Sequence, residues 1–261
     1  MGRWLSLNLS WSARIASVKM TTLPKLNFLF QHLPINIEER ILNKWQSQIN
    51  KFIWNNKRAR ISFKVLQDDT KRGGLKVPNI GIYYHSAKLV WLIDWIKNPF
   101  DSYMVLEKSD LGCALHDVLW PTQSKKSVLG QHWLRNSLIK TWRKFQARIS
   151  PNVSPLKTPM ESLFDYIKPV VNVLLTYGDL VEAPGCFKKP SELSEYVSKL
   201  DWFSYNQLIS KCKDELSPSG GSLRELTEFE QIIKSAKSHL LSKVHKLLLK
   251  YDTEEEQVKN A

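Results

Sequence analysis

Residues 51–84 read KFIWNNKRARISFKVLQDDTKRGGLKVPNIGIYY. The aromatic and aliphatic cluster Phe52, Ile53 and Trp54 follows Ile37, Ile41, Trp45 and Ile49, which with Phe52 or Ile53 form one apolar stripe at helical spacing. The spacing predicts a helix over 36–54, with Glu38 and Glu39 in its first turn and Lys51 near its last, as the helix dipole favours. Asn55 and Asn56 stop it. Two short extended pieces are expected near Arg60–Phe63 and Leu75–Val77, joined where Gly73-Gly74 supplies backbone freedom. Pro78 ends the second piece, because it lacks an N–H for a ladder. Tyr83 to Lys97 is expected to be helical again, with Leu89, Val90, Ile93 and Ile96 inward.

The same stretch is strongly basic. Between Lys51 and Lys76 stand eight Lys/Arg and two Asp, a net of 8 − 2 = +6 within a chain of net charge +13. Almost half the chain's excess charge therefore falls in a tenth of its length. A positive surface beside aromatics attracts a phosphate backbone. A basic balance also serves solubility, and charge alone leaves both readings open.

Upstream, residues 10–30 read as a helix with Ser10 as N-cap and Trp11, Ile15, Val18, Leu23 and Leu26 spaced along it. Pro24 is expected to kink or break that helix near Thr21. Downstream, the pattern loosens from Phe100 to Asn136, and a helix is expected over 137–149. Pro151, Pro155 and Pro159 mark a linker and the best domain boundary. Beyond it, short helices are expected over 160–166 and 191–197, and brief extended pieces at 174–175 and 180–181. A helix is expected over 202–215, a turn at 218–221, a long helix over 223–250, and an acidic fraying tail from Thr253.

The segment FIW-N-N-KRARI, then K-R-GGL-K-VPN, then IYY, resembles the region after the polymerase core in reverse transcriptases of LINE-type (non-LTR) retrotransposons. Leu9-Ser10-Trp11-Ser12-Ala13-Arg14-Ile15, Val18-Lys19-Met20, Leu23-Pro24-Lys25-Leu26 and Phe28-Leu29-Phe30 continue the resemblance, which covers Trp4 to about Trp95. It implies a thumb followed by a helical wrist segment, near a template–primer duplex. The family's catalytic aspartates lie upstream in an F-A-D-D-like motif that does not occur here, and its C-terminal Cys/His cluster is also missing. The resemblance therefore implies a slice of a longer enzyme that binds RNA or an RNA–DNA hybrid and does not polymerise.

Chemistry-bearing residues elsewhere are sparse. Cys113, Cys186 and Cys212 form no C-x-x-C pair, and the histidines form no H-E-x-x-H, so no metal and no cofactor is expected. The thiols are expected to be free and mostly buried, in an intracellular, cytoplasmic or nuclear setting. No apolar run is long enough for a membrane span, and no signal peptide is visible. Asp68-Asp69 lies in a polar loop before Thr70-Lys71-Arg72, which is not the hydrophobic strand–turn–strand setting of a two-metal site. Gly73-Gly74 lacks the surroundings of a P-loop, and a turn is its expected role.

The expected fold is mainly α. A helical thumb-like unit over 1–99 carries a small two-stranded β ribbon. A helical extension over 100–150, a proline linker over 151–159 and an irregular helical region over 160–261 follow. The nucleic-acid-binding candidates are Arg14, Lys57, Arg58, Arg60, Lys71, Arg72 and Lys76, since long cations meet phosphates without reading sequence. Trp54, Tyr83 and Tyr84 are stacking or packing candidates, and aromatics at helical spacing more often pack inward. The basic flank of the last helix reads as a solvated face. The expected partner is RNA or an RNA–DNA hybrid, with a membrane or small molecule disfavoured. Two alternatives are a helical protein-interaction module and a remnant of a mobile element without a selected role.

Overall fold

The computed structural model describes residues 6–33, 35–98, 101–111, 119, 133–149, 180–183, 186–193, 200–216, 226–235 and 238–260. The architecture is mainly helical. The chain forms two compact units that do not follow chain order. One comprises Met1–Trp91, His132–Thr141 and His239–Ala261; the other comprises Leu92–Gln131 and Trp142–Ser238. The expected proline linker, the helix at 160–166 and the turn at 218–221 lie outside the described residues.

The first unit opens with α1 (Trp11–Ser17), a π-helical stretch (Val18–Thr22) and α2 (Leu23–His32). Ser10 caps α1 by accepting from the Ala13 N–H at 3.2 Å. The kink or break expected near Thr21 takes the form of this π-helical stretch, and the helix runs on through it. Pro24 has no N–H for the carbonyl four residues back and crowds it. The chain widens ahead of the proline instead, with the Leu23 N–H reaching the Val18 carbonyl.

Helix α3 (Glu39–Ile53) starts three residues later than the stripe predicted. Its buried row is Leu42, Ile49, Phe52 and Ile53, with Trp45 packed beside it. Ile41, expected inward, is 37% exposed. Ile37 precedes the helix and packs on the core from the connecting segment. There the Tyr84 hydroxyl donates to the Ile35 carbonyl and accepts from the Ile37 N–H, at 3.1 and 3.0 Å.

After α4 (Phe63–Gln67) comes α5 (Ile80–Lys97). Asn79 caps α5 by accepting from the Ile82 N–H at 3.2 Å. Gln46 of α3 donates to the Pro78 carbonyl and accepts from the Ile80 N–H at 2.8 Å, satisfying a free helix-end donor. Val77, Ile80, Tyr84 and Ala87 join the α1–α3 residues Ile15, Val18, Phe30 and Leu42 in one core. Phe30 meets Tyr84 edge-on at 5.4 Å.

In the second unit lie α6 (Ser102–Leu111), the strands β1 (Val181–Ala183) and β2 (Cys186–Phe187), α8 (Pro190–Leu193), α9 (Trp202–Leu216) and α10 (Glu228–Ser235). Helix α7 (Trp133–Ile149) crosses the division between units. The strands pair antiparallel, Val181 with Phe187 and Ala183 with Cys186. The Trp142 indole donates to the Leu119 carbonyl at 2.8 Å and packs on Phe229 at 5.5 Å. Thr227 and Glu230 form a reciprocal capping box on α10. Cys186, on β2, is a free thiol as expected, and it is exposed.

The long helix expected over 223–250 is two helices. Helix α11 (Leu240–Asn260) belongs to the first unit. His239, with φ of +57°, stands between it and α10. Ile233 and Leu240 are seven residues apart, so the apolar stripe stays in phase across the break and periodicity alone does not reveal it. The tail expected to fray from Thr253 continues as helix to Asn260. No helix among the described residues is long and apolar enough to cross a membrane.

Candidate nucleic-acid interface

The basic segment hangs from the end of α3. Asn55 and Asn56 take positive φ, +51° and +59°, conformations that asparagine tolerates better than most residues. The Asn56 N–H closes the helix end on the Lys51 carbonyl at 2.8 Å. Residues 57–62 then run exposed until α4, whose Leu66 side chain is 2% exposed and anchors the loop to the core.

The β ribbon expected between Arg60–Phe63 and Leu75–Val77 is replaced by a closed loop. Phe63 and Leu66, three residues apart, both reach the core when the segment turns helical. The carbonyls at the end of α4 then lack helical partners. The N–H groups of Leu75 and Val77 both donate to the Leu66 carbonyl, at 3.1 and 2.9 Å, and the Lys76 N–H donates to the Asp68 carbonyl at 3.0 Å. Bonds converging on a helix terminus leave no partner strand for a ladder.

The glycine pair has two separate jobs. Gly73 takes φ of +80° to end the 3₁₀ turn Thr70–Arg72. Gly74 is buried, and a Cβ on it would fall inside contact distance of the Asp68 backbone carbonyl. Gly74→Ala is therefore expected to cost about 2 kcal/mol by forcing backbone apart. Urea unfolding checks this, with Gly73→Asn expected to be milder because its surroundings are open.

The seven cations predicted for the interface separate into three groups. Arg14 is 2% exposed, and its guanidinium donates to the Leu7 carbonyl at 3.0 Å and the Leu9 carbonyl at 3.3 Å while lying over Phe52. It ties down the chain before α1 and is withdrawn from any phosphate in solvent, which corrects the expectation for this residue. Arg72 and Lys76 are exposed but lie 3.8 Å from Asp68 and 3.1 Å from Asp69. Lys57, Arg58, Arg60 and Lys71 are exposed, with no side-chain hydrogen bond, ion pair or ring contact among the described residues.

Asp69 explains the shape of this loop. Its carboxylate accepts from the Lys71 N–H and the Thr70 hydroxyl, each at 3.1 Å. The Lys71 N–H, then Lys76, hold its pKa down to about 2. The Asp68–Asp69 pair is thus a fastening for the loop. The four-residue spacing of Asp68 and Arg72 is the sequence signal that reveals it. Lys19 of the π stretch donates to the Leu75 carbonyl at 2.5 Å, and burial followed by the Lys76 charge lowers its pKa.

The three aromatic candidates all pack. Trp54 is half-buried and stacks on Trp11, centroids 5.8 Å apart and planes 6° apart. Tyr84 is 3% exposed. The Tyr83 ring is covered by His245 of α11 at 3.9 Å. Burial lowers the His245 pKa to about 4, so the stack is neutral at physiological pH. Among the described residues no group of three or more His, Cys, Asp or Glu is placed to hold a metal ion.

No family model matches the chain.

Proposed function

We propose that this chain is a non-catalytic nucleic-acid-binding module, a thumb-and-wrist portion of a LINE-type reverse transcriptase. On this reading it holds RNA or an RNA–DNA hybrid by its backbone without reading sequence. The observation that carries the reading is the set of four exposed cations, Lys57, Arg58, Arg60 and Lys71, which have no partner among the described residues and stand on a loop fixed to a packed core. Unpaired cations on a rigid support meet phosphates with little ordering cost. Motif residues outside this set have structural work in the same unit: Gly74 in close packing, Asn79 as a cap and Tyr84 as a tie.

The test compares 20-base-pair RNA–DNA hybrids of unrelated sequence by fluorescence anisotropy. Dissociation constants within about threefold of one another are expected, since phosphate contacts carry no base information. A strong preference for one sequence, or primer extension by the purified chain with dNTPs and magnesium, contradicts the reading.

A protein-interaction role is favoured by one different observation. Trp202 and Phe203, adjacent at the start of α9, are 77% and 61% exposed. Large apolar side chains grouped in solvent mark association surfaces. Affinity for a protein that does not change with salt, without affinity for nucleic acid, favours that role.

A further inference from the structure

We infer that the outer face of α3 continues the cationic loop as one phosphate-backbone-binding surface, with Arg40, Lys44 and Lys51 as its further contacts. The inference rests on the nucleic-acid reading above. At about 100° per residue, Arg40, Lys44, Ser47 and Lys51 fall within roughly 60° of arc. That arc faces away from the buried row of Leu42, Ile49 and Ile53. All four side chains are exposed. Arg40, Lys44 and Lys51 make no hydrogen bond or ion pair among the described residues. The line spans about 16 Å at about 1.5 Å per residue and leads directly to Lys57, Arg58 and Arg60.

The local sequence is biased in a way that helix formation does not require. Between Arg40 and Gln67 the chain has no Asp or Glu. An ordinary solvated helix mixes both signs to gain four-residue ion pairs. Here Arg40 and Lys44 are like charges four apart, and Arg40 sits at the positive end of the helix dipole. Both placements oppose the helix and are offset when a polyanion lies along it. A narrow, acid-free line suits the regularly spaced charges of a nucleic-acid backbone. The exposed apolar neighbours Ile41, Ile61 and Val65 are too scattered along the chain to form the continuous apolar face that a lipid surface needs.

The test measures binding of the full chain to a 20-base-pair RNA–DNA hybrid across a salt series. Arg40→Glu with Lys44→Glu is expected to make the slope of log K against log salt shallower by about 2 units, at about 0.9 per lost phosphate contact. Lys243→Glu with Lys246→Glu on the exposed face of α11 makes the same charge change and is expected to shift the slope by less than half as much. Circular dichroism confirms that each variant is folded. A wild-type slope in the Arg40/Lys44 variant, while Arg58→Glu with Arg60→Glu lowers it, overturns this inference and leaves the loop reading standing. Equal effects of the α3 and α11 variants also overturn it, because net charge then suffices. No binding of the wild type to the hybrid, with binding to vesicles of anionic lipid, overturns both readings.

Discussion

Arg58→Glu combined with Arg60→Glu is expected to weaken binding to every hybrid sequence alike and to flatten its salt dependence by about 2 units. The size follows from counterion release, since each phosphate neutralised by a cation frees about 0.9 counterion from a duplex. These two arginines carry the largest effect because no described residue pairs with them. They are exposed and unpaired among the described residues, and they lie between the stop at Asn55-Asn56 and the anchor at Leu66. Their replacement is therefore expected to leave urea stability within about 0.5 kcal/mol of the wild type, as for other surface positions. Lys76→Glu is the contrasting variant. It breaks the pair with Asp69 and places two carboxylates together, so its cost falls on the loop as well as on binding. A fall in affinity confined to one sequence, or an unchanged slope, shows that Arg58 and Arg60 are not contacts.

Lys88→Met is expected to stabilise the chain by on the order of 3 kcal/mol at pH 7. Lys88 is 0% exposed on α5, and its ammonium group has no hydrogen-bond partner among the described residues. Its one favourable contact among the described residues is the face of Tyr84, 5.4 Å from the ring centroid. Burial lowers its pKa to about 8 from 10.5. The folded state therefore disfavours the charged form, and the unfolded chain holds a proton that the folded chain has released between pH 8 and 10.5. Stability of the wild type rises with pH across that window. Below pH 8 the ammonium is charged in both states and the burial cost is fully present. Methionine fills a similar volume without the charge, so its advantage is greatest at pH 7 and shrinks towards pH 10.5. Urea unfolding at pH 7, 8.5 and 10 checks this. A destabilised Lys88→Met, or a difference that does not change with pH, shows that Lys88 has a charge partner in the fold.

The helical character and much of the first unit's core were legible from apolar spacing. Ile49, Phe52 and Ile53 are buried as their spacing requires, and Asn55-Asn56 ends α3. Register was harder to read. Ile41 and Leu42 are adjacent and similarly apolar, and the face shared by Ile49, Phe52 and Ile53 takes in Leu42 and leaves Ile41 at its edge. The ribbon was misread because Leu75 and Val77 alternate as a strand would, while their partners are carbonyls at the end of a five-residue helix. Charge counting gave the location of the candidate surface but not its membership. Burial removes Arg14, and Asp68 and Asp69 partly neutralise Arg72 and Lys76. Those distinctions depend on which neighbours the fold supplies.

The central claim is that this chain holds a nucleic-acid backbone through unpaired cations. The most direct test is binding of the purified, folded chain to a short RNA–DNA hybrid, followed by anisotropy from low to high salt. The loop cations alone predict a slope of log K against log salt near −3 to −4, and the α3 stripe steepens it to about −6. A folded chain that does not bind the hybrid, or binds it with a slope near zero, contradicts the account.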